Sequence, residues 1–153
     1  MRQHLALVAL ALGVAGCGGA PADPAPPSRV GATLAGASLM LEVADDPAER
    51  ARGLMGRTSV PPGTGMVFRY DEPSTDRFWM RDVPIALRAT FVRGGVVLHS
   101  VVMAPCREPE PRDCPTYGAP APFDTVVETA PDAVPGVVPG ARFVLSGPSS
   151  SMR

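Results

Sequence analysis

Leu87-Arg88-Ala89-Thr90-Phe91-Val92-Arg93-Gly94-Gly95-Val96-Val97-Leu98-His99-Ser100-Val101-Val102-Met103 has the pattern of a β-hairpin and points to a β-rich domain. Residues 87 to 93 alternate, with Leu87, Ala89 and Phe91 toward one face and Arg88 and Thr90 toward the other, as in a strand covered on one side. Gly94-Gly95 tolerates the positive φ that a two-residue hairpin turn demands, so residues 96 to 103 are expected to return as the antiparallel partner. The same alternation places His99 with Val97, Val101 and Met103.

The rest of the chain reads in similar short units. Residues 30 to 43 hold two apolar stretches around Ala35-Gly36-Ala37, expected as strands. Asp46 is a capping residue, Pro47 suits the first helical position, and Glu49 follows the cap by three residues, the signature of a capping box. The short helix should stop at Gly53 and lay Ala48, Ala51 and Met55 on a sheet. Pro61-Pro62-Gly63 with Gly65 makes a turn before a strand beginning Met66-Val67-Phe68. Arg77 to Met80 reads as a further strand, closed by the turn Asp82-Val83-Pro84. A loop from 105 to 122 leads to strands over 123–129 and 142–145, separated by Pro139-Gly140. The expected class is α+β and predominantly β: a single small domain over residues 30–146, with a twisted antiparallel or mixed sheet or partly open barrel and one short helix.

Ahead of that domain, Val14-Ala15-Gly16-Cys17 closes an apolar run from Leu5 to Val14 that is preceded by Arg2 and His4. This is the form of a lipoprotein signal over residues 1–16, too short to span a bilayer, with Cys17 as the lipidation site. Burial of acyl chains at about 0.8 kcal/mol per methylene makes anchoring by more than one chain stable. An ordinary secretory signal cut near Ala20 is the alternative. Residues 17–29, rich in Pro, Ala and Gly, read as a tether with a reach of roughly 35 Å at about 3.1 Å per residue. The expected address is the cell envelope, on the periplasmic side, and Gly18 rather than Asp after Cys17 favours the outer membrane over the inner. Residues 147–153 read as a flexible tail.

Composition removes several chemistries. All 14 basic residues are arginine, so Schiff-base enzymes, lysine phosphate loops and serine–lysine hydrolases are excluded. Loss of the signal removes Arg2 and no acid, taking the net charge of −1 to −2, which gives no footing for nucleic acid. His4 goes with the signal, leaving His99 as the remaining imidazole and ruling out multi-histidine zinc sites. With Cys17 lipidated, Cys106 and Cys114 form an even pair in an oxidising compartment and are expected as a disulfide worth about 2.5 kcal/mol at most. A metal pair is the competing reading, against which their spacing matches no common zinc knuckle.

The succession Glu42-Val43-Ala44, Glu49-Arg50-Ala51-Arg52-Gly53-Leu54-Met55-Gly56-Arg57, Gly65-Met66-Val67-Phe68, Phe78-Trp79-Met80-Arg81-Asp82 and Ile85 to Phe91 resembles the family catalogued as domain of unknown function 192. The resemblance runs from about Leu39 to Leu145. It implies a compact β-rich domain, often secreted or lipid-anchored, and no established reaction. Members usually read Trp-Met-Lys-Asn-Thr and then Pro-Leu-Asp, whereas this chain has Arg81-Asp82-Val83 and places Arg88 at the position of that aspartate. A compensating exchange would bring Asp82 and Arg88 into contact.

For ligand binding, Trp79 and Met80 offer an aromatic floor with Arg57, Arg81 and Asp82 as a polar rim; the alternative is a tryptophan packed in the core. Met55, Met66, Met80 and Met103, with His99, suggest a Cu(I) site, set against methionines that fill apolar space. His99 as a base lacks a nucleophile, since Ser100 faces the opposite way. Glu108, Glu110 and Asp113 as calcium ligands are interleaved with Arg107 and Arg112, which cancel their field. No catalytic residue, metal or cofactor is assigned. The expected role is a binding or accessory module, monomeric, whose partners are the membrane through its lipid and an envelope protein or small molecule. The enzyme alternative is a small hydrolase or lyase using Asp82 with arginine support, which requires Asp82 partly buried in a concave site.

Overall fold

A computed structural model describes residues 27–146. The signal over 1–16, Cys17, most of the tether and the tail over 147–153 lie outside the described residues. The chain begins with β1 (Arg29–Leu34) and β2 (Ala37–Ala44), an antiparallel pair turned at Ala35-Gly36, both with positive φ. The helix α1 (Pro47–Arg52) starts where the capping box requires, with the Asp46 carboxylate accepting from the Glu49 amide at 2.8 Å. β3 (Thr64–Ser74) then runs parallel to β2. A parallel neighbour needs a long crossover, and residues 45–63 with α1 supply it.

Next come β4 (Phe78–Trp79), β5 (Leu87–Arg93) and β6 (Val96–Met103), then a short 3-10 turn (Pro111–Asp113), β7 (Thr116–Tyr117), β8 (Phe123–Thr129) and β9 (Phe143–Leu145). Seven strands form a sheet in the order β6-β5-β8-β3-β2-β1-β9, while β4 and β7 make a separate ribbon. The sheet curls far enough for its two ends to meet. Val96 on β6 bridges Arg142 beside β9, and the Phe143 amide donates to the Gly95 carbonyl at 2.9 Å. The expected β-rich class and partly open barrel are therefore what the chain forms. No helix among the described residues is long and apolar enough to cross a membrane.

The curl buries both faces of the sheet. Inside it lie Leu34, Leu41, Val67, Val92, Val97, Val127 and Phe143, with contributions from all seven strands. On the outer face, Phe68, Leu87, Phe91, Met103 and Val126 are covered by Leu54 and by the segment from Phe78 to Val83. Phe78 is the centre of this second cluster, packing edge-on against Phe68 at 5.1 Å and Phe91 at 5.6 Å between centroids. Gly65 is required where β3 crosses β8, because a Cβ there would overlap the Glu128 carbonyl oxygen.

Three local expectations are corrected. Ala48 and Ala51 are exposed and α1 buries no residue; Leu54, just beyond it, docks on the sheet instead. The hairpin turns at Gly94-Gly95 as expected, but a bulge between Phe91 and Val92 shifts the register, so Val97 enters the inner cluster while His99 stands opposite Phe91 on the outer face. Asp82 and Arg88 do not meet. Asp82 pairs with its neighbour Arg81 at 3.4 Å, and Arg88 donates to the Pro131 carbonyl at 2.7 Å. Asp82 has a φ of 55°, a left-handed conformation that Asn and Asp tolerate best, so this residue serves a turn, as the asparagine of the family pattern would, and makes no contact with Arg88.

Candidate functional site

The site is built where the ribbon folds over the outer face of the sheet. Alternation along β4 sends Phe78 inward and Trp79 outward, and Met80 turns back into the core with 1% exposure. Trp79 is 37% exposed and stands at the edge of a cavity of about 360 Å³, so it is not the buried core group of the alternative reading. Leu54, Phe68, Phe78, Met80, Val83 and Leu87 make the apolar wall. Around the opening are Arg50 and Arg52 from α1, Arg77 before β4 and Arg81 after it, with Asp76 and Tyr70 between them.

Several of these side chains are held in place. The Arg50 guanidinium lies 4.8 Å from the Tyr70 ring centroid and donates to the Arg69 carbonyl at 2.9 Å. Arg77 reaches across the ribbon to Thr116, donating to its hydroxyl at 2.7 Å and to its carbonyl at 2.6 Å. The Arg81 guanidinium sits 5.6 Å from the Trp79 ring centroid. Burial, reinforced by Asp76, pushes the Tyr70 phenol up to about 12. The disulfide expected between Cys106 and Cys114 is formed, and it closes the loop that delivers β7 to β4.

A glutamate completes the cavity. Glu128 lies on β8 between Met66 of β3 and Ala89 of β5, points to the same face as Val126, and is 5% exposed. Its carboxyl is pushed up to about 8 by burial alone. No ion-pair partner approaches it among the described residues. Glu42, the other buried glutamate, is treated in the opposite way: Arg29 and Arg57 both donate to its carboxylate. No fully enclosed side-chain oxygen among the described residues lacks a partner, so the Glu128 carboxyl opens onto the cavity that it lines.

Of the residues singled out from the sequence, Trp79, Met80 and Arg81 line this cavity together. Arg57 is spent on Glu42, and Asp82 is exposed and does not line the cavity, so the hydrolase or lyase reading loses the acid it was built on. Met66, Met80 and Met103 are buried in the outer-face cluster with Met55 against it, surrounded by Phe68, Phe78, Phe91 and Phe123. The His99 ring stacks on Phe91 at 6.3 Å between centroids. Glu108, Glu110 and Asp113 do not assemble: no group of three or more His, Cys, Asp or Glu among the described residues is placed to hold a metal ion. Glu128 was missed by sequence reasoning, although a signal existed. Counting two residues on from Val126 puts Glu128 on the buried face of its strand.

Solved structures with this fold include two whose similarity extends over most of the chain. A Sinorhizobium meliloti 1021 protein described as a candidate transcription regulator superposes with a TM-score of 0.69 at 24% identity, over 80% of this chain and 98% of that one. A Novosphingobium aromaticivorans DSM 12444 protein of unknown function superposes with a TM-score of 0.66 at 29% identity, over 88% of this chain and 99% of that one. No curated protein matches the chain. The sequence profile of DUF192, described as "Uncharacterized ACR, COG1430", matches residues 30–145, a span that contains the whole cavity lining from Pro47 to Glu128. The chain belongs to this family, domain of unknown function 192.

Proposed function

We propose that the protein is a cell-envelope binding module, held to the membrane through a lipid on Cys17, whose cavity takes a small molecule with an apolar body and an anionic group. The observation that carries the reading is the pairing of an apolar wall with an arginine mouth. Arg50, Arg52, Arg77 and Arg81 line the opening with Asp76, and Asp82, outside the cavity, pairs with Arg81 alone. An apolar pocket with a few convergent polar groups is the usual form of a small-molecule site, and clustered guanidinium groups favour an anion at its entrance. A volume of about 360 Å³ suits a ligand of modest size.

Trp79, the single tryptophan of the chain, reports on this mouth. Straight-chain carboxylates of about six to ten carbons, titrated into the mature protein, should change its fluorescence saturably. Calorimetry should show binding that weakens with added salt and falls roughly tenfold in the double variant Arg52→Ala/Arg81→Ala, for charge-assisted contacts of about 1–2 kcal/mol in total. Absence of a saturable signal at every chain length would overturn the reading.

A further inference from the structure

Resting on that reading, we propose that Glu128 is the inner anchor of the ligand, recognising a neutral hydrogen-bonding group, such as a terminal hydroxyl, on the end of the molecule away from its anion. The position of the side chain makes the case. Glu128 is 95% buried, lines the cavity with Tyr70 close enough to feel its charge, and among the described residues it pairs with no arginine and accepts no hydrogen bond, whereas Glu42 on the same sheet receives both Arg29 and Arg57. Burying a polar group without a partner costs stability, so an unpartnered carboxyl facing an open cavity is a group kept for something that enters it.

The chemistry of that guest follows from its surroundings. The titratable and charged groups lining the same cavity are Arg50 and Arg52 from α1, Tyr70 from β3, and Asp76, Arg77 and Arg81 around β4; β5 contributes Leu87. A cationic ligand would have to pass four guanidinium groups to reach the floor. A second anionic group at the floor would meet a carboxyl with no counter-charge. A hydroxyl does neither, and a protonated carboxyl both donates to it and accepts from it. Burial keeps Glu128 in that protonated form up to about pH 8. Tyr70, pushed up to about 12, does not titrate in the same range.

The test compares carboxylates of about six to ten carbons with and without an ω-hydroxyl, and ω-hydroxyalkylamines of equal length, by calorimetry on wild type, Glu128→Gln and Glu128→Leu. At pH 6 the hydroxyl should improve wild-type affinity about fivefold, the worth of one hydrogen bond, and the amines should not bind. Glu128→Gln should keep most of that gain and Glu128→Leu should lose it. Raising the pH to 9.5 should weaken both carboxylate series roughly tenfold or more in wild type, as Glu128 ionises beside an anionic ligand, and in neither variant. Binding of plain carboxylates with no hydroxyl gain at any length, or a gain that survives in Glu128→Leu, overturns the inner anchor while leaving the cavity reading standing. Failure of every carboxylate to bind overturns both. The wild-type pH comparison does not depend on the fold of any variant.

Discussion

Glu42 and Glu128 flank Met66 on adjacent strands, and the difference between them is the most consequential feature at the scale of single residues. Glu42 is ion-paired to Arg29 and Arg57, which offsets the cost of its burial. Glu128 meets that cost by holding a proton. Its folded-state value of about 8 stands above the ordinary value of 4.5, so the stabilisation is fully present below pH 4.5 and is lost as the pH rises toward 8. Global stability by chemical denaturation should therefore fall between those limits, at up to about 1.4 kcal/mol per pH unit, and level off above them. Glu128→Gln should flatten that segment and be the more stable protein at pH 9. An unchanged slope in the variant would show that Glu128 is not the titrating group. A buried acid of this kind is hard to see in a sequence, because Thr125-Val126-Val127-Glu128-Thr129 also reads as an apolar strand that ends in a solvated acid.

Among the elements, the β4–β7 ribbon is the smallest and the one on which the cavity depends. Its two-residue strands cannot hold themselves together; Arg77 ties them through Thr116, and the Cys106–Cys114 bridge shortens the loop that leads into β7. Reduction should lower stability by about 2.5 kcal/mol at most, less the part already taken by Pro109 and Pro111 in the unfolded loop. Because the loosened ribbon carries Trp79, its fluorescence should change on reduction before the protein unfolds globally. Coincident changes would mean that the bridge braces the whole domain and not the cavity wall. The legibility of elements here follows the range of the forces involved. α1 was readable in full from Asp46, Pro47 and Glu49, since a cap is a contact within one turn. Its packing was not, since Leu54 outside the helix supplies it. β7 has too few residues to carry a pattern, and nothing in Val97-Leu98-His99 announces the bulge.

The described residues form a curled sheet with an apolar cluster on each side, covered outside by Leu54 and the segment from Phe78 to Val83. Among the described residues the sheet closes from Ser28 onward, since β1 enters at Arg29 and its edges are taken by β2 and β9. Replacing Cys17→Ser should accordingly move the protein from the membrane fraction to the soluble one while the thermal transition of the domain stays within about 1 °C, a shift far smaller than about 1 kcal/mol would produce. Retention in the membrane fraction by the variant would overturn the proposed lipid on Cys17.

What the sequence alone determined was whatever depends on residues close together: the hairpin at Gly94-Gly95, the capped helix, the paired cysteines, the missing lysines and the family signature at the Gly-Leu-Met, Gly-Met and Trp-Met stations. Tertiary structure decided the rest. Whether a strand is covered on one face or two, whether Trp79 points to solvent or core, and whether a glutamate receives an arginine all depend on segments far apart in the chain. Residues of β4, β8 and α1 are far apart in the chain and share one cavity in the folded sheet, which sets apolar groups around Glu128 and arginines along the same lining. Local patterning specifies which residues can be buried. Packing between distant segments determines which of them share an enclosed space, and so where a site can form.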